Sequence, residues 1–129
     1  MAGARDLVAE LRGLEVPVGL VSNSPPHFIA LALELSELEG QFDVVISGHE
    51  VARPKPAPDP YLAACEALGV EPNRDVFVLE DSPTGVAAGV AAGLSVIGIP
   101  SLDGVALDEA HELAVSLDAP ELRTRLGLV

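Results

Sequence analysis

The sequence predicts an α/β fold with a mostly parallel sheet, and two observations support this prediction. Hydrophobic residues make up 49% of the 129 residues and aromatic residues only 3%, so the core must be built from Val, Leu, Ile and Ala. Short β-rich runs alternate with stretches of helical spacing, as in folds with right-handed crossovers. The length lies within the range of one compact domain, so we expect a single domain over residues 1–129.

Four short runs rich in Val, Ile and Leu are predicted to be strands. We predict strands over residues 16–21, 42–47, 75–79 and 95–99. Since helical stretches separate these runs, the strands should pair in parallel.

Helices are predicted between the strands from apolar spacing and from start and stop signals. Pro26 suits a first helical turn and Gly40 ends that helix, while Asp59 is expected as an N-cap and Gly69 as the left-handed residue after the helix end. The predicted helices cover residues 4–14, 26–38, 60–68 and 83–92.

The pattern is weaker after residue 99. Residues 107–113 favour a helix and residues 113–117 a short edge strand. Asp118-Ala119-Pro120-Glu121 has the form of a capping box that begins a final helix.

Charge and cysteine content exclude several classes of partner. The net charge of −13 repels polyanions, so we expect neither nucleic acid nor a membrane surface as a partner. Cys65 is the only cysteine, which rules out an internal disulfide and favours a small buried helical side chain. The sequence shows no apolar leader or spanning stretch, and we expect a cytoplasmic protein.

The candidate functional residues lie just after the apolar runs, because ligands of open parallel sheets bind at the carboxyl ends of the strands. Ser22 and Asn23 precede a predicted helix N-terminus, which suits an anionic oxygen. Lys55, the only lysine, lies in R-P-K-P-A-P-D-P-Y, where the prolines restrict the loop and hold the ammonium in place. A solvated surface lysine and a serine that only caps a helix are the alternative interpretations.

Glu80 and Asp81 bring two carboxylates to the same edge. Two neighbouring carboxylates repel each other unless a cation or hydrogen bonds neutralise them, and Mg²⁺ favours one or two carboxylates with phosphate and water. Because strand side chains alternate between faces, we expect Asp81 to bind the ion directly and Glu80 to act through water. Capping of the next helix by Asp81 or Ser82 is compatible with this role.

Three segments stand out in order along the chain: L-V-S-N-S, R-P-K-P-A-P-D-P-Y and V-F-V-L-E-D-S-P-T-G-V-A-A-G-V-A-A-G. They resemble the second, third and fourth motifs of the haloacid dehalogenase superfamily. The branch that they resemble includes β-phosphoglucomutase and phosphoglycolate phosphatase, and the resemblance covers residues 3–120. It implies a Rossmann-like core, a small phosphorylated metabolite as substrate and Mg²⁺ as cofactor.

The resemblance also implies a role for each candidate residue. Ser22 would hydrogen-bond the transferred phosphoryl group, helped by the following amide, that of Asn23. Lys55 would balance the negative charge on phosphate and nucleophile. Glu80 and Asp81 would position Mg²⁺.

The family's first motif, D-x-D-G-T, has no counterpart in this chain. In the family its first aspartate attacks phosphorus and its second is the general acid and base. No two of the eight aspartates here are spaced two apart, since they occupy positions 6, 43, 59, 75, 81, 103, 108 and 118. Residues 1–5 match the point at which family members resume after their helical cap. We therefore expect a C-terminal core segment, without the central N-terminal strand and the cap, that is inactive alone.

The absence of the central strand predicts a gap in the sheet. The strands near Val18 and Val78 would lose their shared neighbour. A gap of about two strand spacings, on the order of 10 Å, would then separate them and leave backbone N–H and C=O groups unpaired. Three outcomes are open: direct pairing of these two strands, assembly with another chain by self-association or with the missing N-terminal segment, or marginal stability.

The leading interpretation is thus a segment of a Mg²⁺-dependent phosphohydrolase or phosphomutase. A non-catalytic phosphate or Mg²⁺ binding or interaction module is the alternative, and ligand binding without turnover would favour it. A haloacid dehalogenase is a second alternative. Those relatives use no Mg²⁺, so haloacid turnover without added metal would favour it.

Overall fold

The computed structural model describes residues 3–100 and 106–128 and has the predicted α/β architecture with parallel strands. Met1, Ala2 and Asp103, which entered the sequence argument, lie outside the described residues. Helices α1 to α5 span Ala4–Gly13, Pro26–Leu35, Asp59–Leu68, Pro83–Ala91 and Pro120–Arg125. Strands β1 to β5 span Gly19–Ser22, Val44–Ser47, Phe77–Glu80, Ser95–Gly98 and Glu112–Leu113.

The four predicted strands and the first four predicted helices are all present, with shifted ends. β1 begins at Gly19 and not at residue 16, because the Val16 N–H returns to the Leu11 carbonyl and the Val18 N–H donates to the Asp43 carboxylate, so neither joins a backbone ladder. α2 ends at Leu35, before the predicted residue 38. Glu37 adopts a left-handed φ of 58°, and the Leu38 N–H returns to the Leu33 carbonyl at 2.8 Å, a bond that closes the helix end.

Two predicted capping residues were wrong. Asp59 is the first residue of α3 and not its N-cap, and its carboxylate pairs with Arg53. The capping box at residues 118–121 does not form, because Ala119 is the N-cap of α5 without a side-chain bond and the Asp118 carboxylate accepts from the Ser116 hydroxyl. The end of α3 is as predicted, since Gly69 takes the left-handed conformation with φ of 73°.

The helix predicted over residues 107–113 is also wrong. A turn occupies this region, and the edge strand predicted over residues 113–117 is the two-residue β5. The reason is tertiary, because β4 offers an open edge. The His111 N–H donates to the Val96 carbonyl at 3.0 Å and the Ala114 N–H to the Gly98 carbonyl at 2.9 Å.

The strands form two separate sheets. β1 pairs with β2 in parallel, from Gly19 opposite Val44 to Ser22 opposite Ser47. β3, β4 and β5 form the second parallel sheet in that order. Direct pairing of β1 with β3, one of the three predicted outcomes, does not occur within the described residues.

β1 and β3 each have one edge that no other strand of the described residues pairs with. In a parallel ladder, alternate residues direct their N–H and C=O groups to opposite sides. The Val18 carbonyl accepts from Asp43 beside β2, and the Glu80 carbonyl accepts from Ile99 beside β4. The backbone groups of Gly19 and Val21 in β1, and of Phe77 and Leu79 in β3, therefore face away from their own sheets. We call the space between these two edges the strand slot.

Packing of helices holds the two sheets together. α3 packs on β1 and β2 and contacts α4, which packs on β3 and β4. α1 and α5 cover the other face of the second sheet, where Leu7 and Leu122 share a buried cluster with Ile97. Arg123 and Glu10 form an ion pair between these two helices. Cys65 is buried in the α3 cluster, as expected.

A search for membrane-crossing helices over residues 3–100 and 106–128 finds none long and apolar enough to span a bilayer.

Leu122→Ala should lower the free energy of unfolding by about 3 kcal/mol, because Leu122 is 1% exposed and its truncation leaves a cavity under α1. Leu35→Ala is the matched control, since Leu35 is 75% exposed and its truncation should cost less than about 0.5 kcal/mol. Urea unfolding followed by circular dichroism measures both variants. Equal losses would contradict this assignment of the core.

Candidate functional site

The candidate site lies where β1 and β3 end and is centred on the ammonium group of Lys55. The Lys55 Nζ donates to the Val21 carbonyl at 2.9 Å and to Glu80 Oε2 at 2.8 Å. The side chains of Lys55 and Glu80 are only 7% and 10% exposed. Val21 of β1 and Glu80 of β3, on opposite sides of the strand slot, thus both hydrogen-bond the buried ammonium of Lys55.

Asn23 holds the backbone of the Lys55 loop. Its Nδ2 donates to the Lys55 carbonyl at 3.0 Å, and its Oδ1 accepts from the Lys55 N–H at 3.0 Å. Gly48 makes room for this contact, because a Cβ there would lie 2.5 Å from Asn23 Oδ1. The Lys55-Pro56 peptide bond of this loop is cis. The side-chain amide of Asn23 is therefore occupied by the loop.

Glu80 receives hydrogen bonds on both carboxylate oxygens. Oε2 accepts from Lys55 and, at 2.6 Å, from the Tyr61 hydroxyl. Oε1 accepts from the Asp81 N–H at 3.2 Å and from the Ser82 hydroxyl at 3.3 Å. Ser82 also caps α4 by accepting from the Gly85 N–H, as one of the alternative interpretations predicted.

The electrostatics follow from this enclosure. Burial raises the pKa of Glu80, but the charge and hydrogen bond of Lys55, together with the bonds from Tyr61 and Asp81, lower that pKa by more. Burial, followed by the charge of Glu80, raises the pKa of the Tyr61 phenol far above its usual value. Glu80 is therefore a carboxylate and Tyr61 a protonated donor at neutral pH.

The loop after β1 is shaped by serines. The Ser22 Oγ accepts from the Ser24 N–H at 3.1 Å, and fully buried Ser47 donates to the Ser24 carbonyl at 2.7 Å. Ser47 also forms a capping box with Glu50. This pairing shows in the sequence as S-G-H-E, but sequence reasoning passed over it.

Asp81 lies next to Glu80 at the end of β3 and is partly exposed. Over residues 3–100 and 106–128, no three or more His, Cys, Asp or Glu side chains cluster closely enough to hold a metal ion by themselves. A cation at Asp81 would need oxygen atoms from a ligand and from water as well. Carboxylate with phosphate and water is a ligand set that Mg²⁺ accepts.

The structure thus brings Lys55 and Glu80 into direct contact, and the Asn23 side chain hydrogen-bonds the Lys55 backbone. Ser22 and Asp81 lie at the carboxyl ends of β1 and β3 and are partly exposed. Their roles toward phosphate and Mg²⁺ stay predictions. Sequence reasoning did not identify Tyr61 as part of the site. Its only signal was its place at the end of R-P-K-P-A-P-D-P-Y.

Comparisons with known proteins agree with the motifs. The sequence model of the haloacid dehalogenase-like hydrolases matches residues 1–93. The chain is 37% identical over 116 residues to a validoxylamine A 7'-phosphate phosphatase of Streptomyces hygroscopicus subsp. limoneus, covering 89% of this chain and 54% of that protein. It is 38% identical over 94 residues to a phosphoglycolate phosphatase of Escherichia coli strain K12, covering 73% of this chain and 37% of that protein.

A solved structure shows the same fold. A haloacid dehalogenase family hydrolase from Deinococcus radiodurans R1, with bound phosphate and sodium, matches with a TM-score of 0.83 and 31% identity. The match covers all of this chain and 61% of that protein. The resemblance inferred from the three motifs is confirmed, and the chain spans about half or less of the length of the two phosphatases.

Gly85→Ala should lower the free energy of unfolding by about 1–3 kcal/mol. A Cβ at Gly85 would lie 1.9 Å from the Glu80 carboxyl carbon, so the buried carboxylate would have to move off Lys55. Gly13→Ala is the control, because nothing lies within 4 Å of that position in α1, and it should be neutral or stabilising. Thermal unfolding compares the two. Identical behaviour would contradict the close packing of α4 on Glu80.

Proposed function

The chain belongs to the haloacid dehalogenase-like hydrolases, and from this premise we propose that its site binds the phosphate group of a small phosphorylated metabolite together with Mg²⁺. The observation that carries the proposal is the buried ammonium of Lys55, fixed between Val21 and Glu80 beside the Ser22 loop. A desolvated cation next to hydroxyl and amide donors is suited to a phosphate dianion.

Each residue has a defined part in phosphate binding. Ser22 donates its hydroxyl to a phosphate oxygen. The backbone N–H of Asn23 is a second donor, since its side chain is occupied by the Lys55 loop. Lys55 neutralises the phosphate charge. The two phosphatase relatives and the phosphate-bound structure support phosphate as the ligand.

Asp81 would hold Mg²⁺ directly, with Glu80 behind it through water. An indirect role for Glu80 is supported by the protein donors on its two oxygens, which direct this carboxylate toward Lys55, Tyr61 and Ser82. When bound, the ion supplies positive charge at the phosphoryl oxygens. The cytoplasm, which contains both Mg²⁺ and phosphorylated metabolites, is the compartment that this function fits.

Hydrolysis needs a nucleophile that these residues do not include. We propose that it comes with a strand that fills the strand slot and carries the paired aspartates of the family's first motif. Such a strand would pair with the outward-facing backbone groups of Gly19, Phe77 and Leu79 and with the Val21 N–H, as in recognition by β-strand addition, while the Val21 carbonyl stays with Lys55. An N-terminal segment of the family type is the proposed source, and self-association is the alternative. A purely phosphate-binding module is the second candidate function, favoured by the lack of any D-x-D pair in the chain.

Lys55→Met should weaken binding of inorganic phosphate in the presence of Mg²⁺ by at least about tenfold, because one charge-assisted hydrogen bond is worth roughly 1.5–3 kcal/mol. Arg53→Met is the matched control, since Arg53 is a cation of the same loop whose side chain is 72% exposed. Isothermal titration calorimetry measures both. Equal weakening in the two variants would show that general charge attraction, and not the site, binds phosphate.

A synthetic peptide that carries an apolar strand followed by D-x-D-G-T should confer Mg²⁺-dependent hydrolysis of a generic phosphomonoester on this chain. The reason is that the peptide supplies both the missing ladder partner and the nucleophile. The same peptide with its first Asp replaced by Asn should bind and confer no turnover. Robust turnover by the chain alone would refute the need for the strand, and phosphate binding without turnover under all conditions would favour the binding module.

A further inference from the structure

We propose that Tyr61 is a positioning residue of this site, which holds Glu80 and, through Glu80, the Lys55 ammonium in place for an anion. The proposal rests on the proposed function above. Tyr61 lies buried in the first turn of α3. Its hydroxyl donates to Glu80 Oε2 at 2.6 Å, the same oxygen that receives Lys55 Nζ at 2.8 Å.

The hydroxyl completes the set of donors around a buried carboxylate. Without it, Oε2 would keep Lys55 as its donor while Oε1 kept the Asp81 N–H and the Ser82 hydroxyl. A buried charged group with an unfilled acceptor position costs free energy. Glu80 would relieve that cost by rotating or by drawing Lys55 toward it and away from the Val21 carbonyl.

The ring of Tyr61 acts on Lys55 directly. The Lys55 Nζ lies 5.0 Å from the ring centroid, within the range of a cation–π contact. Val21, whose carbonyl accepts from Lys55, packs against the cluster that contains Tyr61. Tyr61 therefore contacts both charged partners and belongs to the apolar cluster behind them. Because Tyr61 is part of α3, the position of α3 fixes the position of the Lys55 ammonium at the ends of β1 and β3.

This arrangement leaves a defined direction for the ligand. A lysine ammonium has three N–H donors. Among the described residues, the Val21 carbonyl and Glu80 take two of them. The third is the donor for a phosphate oxygen, and its direction is set by the other two. If Glu80 became more mobile, the third N–H of Lys55 would lose its fixed direction, although the site would keep all its charges.

The chain is well suited to a direct test, because Lys55 is its only lysine and Tyr61 its only tyrosine. Lysine labelled with ¹⁵N at Nζ gives a single signal, and the rate of hydrogen exchange at this ammonium reports how firmly it is held. In Tyr61→Phe we expect exchange about tenfold faster, close to the size expected for one hydrogen bond to a charged group. Binding of inorganic phosphate should be about fivefold weaker, a smaller effect because Tyr61 acts on the ligand only through Glu80 and Lys55.

Cys65→Ala is the control, because Cys65 lies one turn along α3 in the same buried cluster. It should lower stability by about as much as the Tyr61 variant or more and leave the Lys55 signal and phosphate affinity unchanged. Unchanged Lys55 exchange in Tyr61→Phe, or equal changes in both variants, would overturn the proposal.

A measurement on the unaltered chain covers the case in which Tyr61→Phe does not fold. The Tyr61 hydroxyl proton should appear as a slowly exchanging downfield signal with cross-relaxation to the Lys55 ε-methylene. Its absence would overturn the proposal. If phosphate fails to bind while the Lys55 signal responds to Tyr61→Phe, the proposed function fails and the positioning role stands.

Discussion

The contact of Lys55 with Glu80 is the interaction on which the rest of this structure depends. It joins the carboxyl ends of two strands that belong to different sheets, since Lys55 Nζ also donates to the Val21 carbonyl. Burying two charges is costly unless each finds a partner and its remaining hydrogen-bonding groups are filled. Tyr61, Ser82 and the Asp81 N–H fill those of Glu80. The residues that stabilise the ion pair are therefore the same residues that shape the site.

The split sheet is the second constraint. Its two halves are joined by helix packing and by the Lys55 contacts, because no backbone ladder runs between β1 and β3 in the described part of the chain. Free backbone N–H and C=O groups at a sheet edge favour pairing with another strand. The outward-facing edges of β1 and β3 both end at the buried ammonium of Lys55, so a strand that paired with both edges would end beside it.

Close approach of backbone and side chains accounts for several residues that carry no charge. Gly48 admits the Asn23 side chain, and Gly85 admits the Glu80 carboxylate, at distances that a Cβ would block. Ser47 ties the loop after β1 to β2 from a fully buried position. These residues fix the positions of the polar side chains of the site. Electrostatic complementarity toward an anion requires such fixed positions.

The sequence by itself determined the α/β class, the order of its first eight helices and strands, the family and the edge at which Ser22, Lys55 and Asp81 gather. It did so because apolar periodicity, prolines and family motifs are local properties of the chain. Only the tertiary structure decided that residues 107–113 form no helix and that Glu112 and Leu113 pair with β4, since the open edge of β4 outweighs a weak helical pattern. The tertiary structure also decided that β1 and β3 stay apart and that Tyr61 joins the site. Both outcomes depend on contacts between residues far apart in the chain, and no local pattern records them.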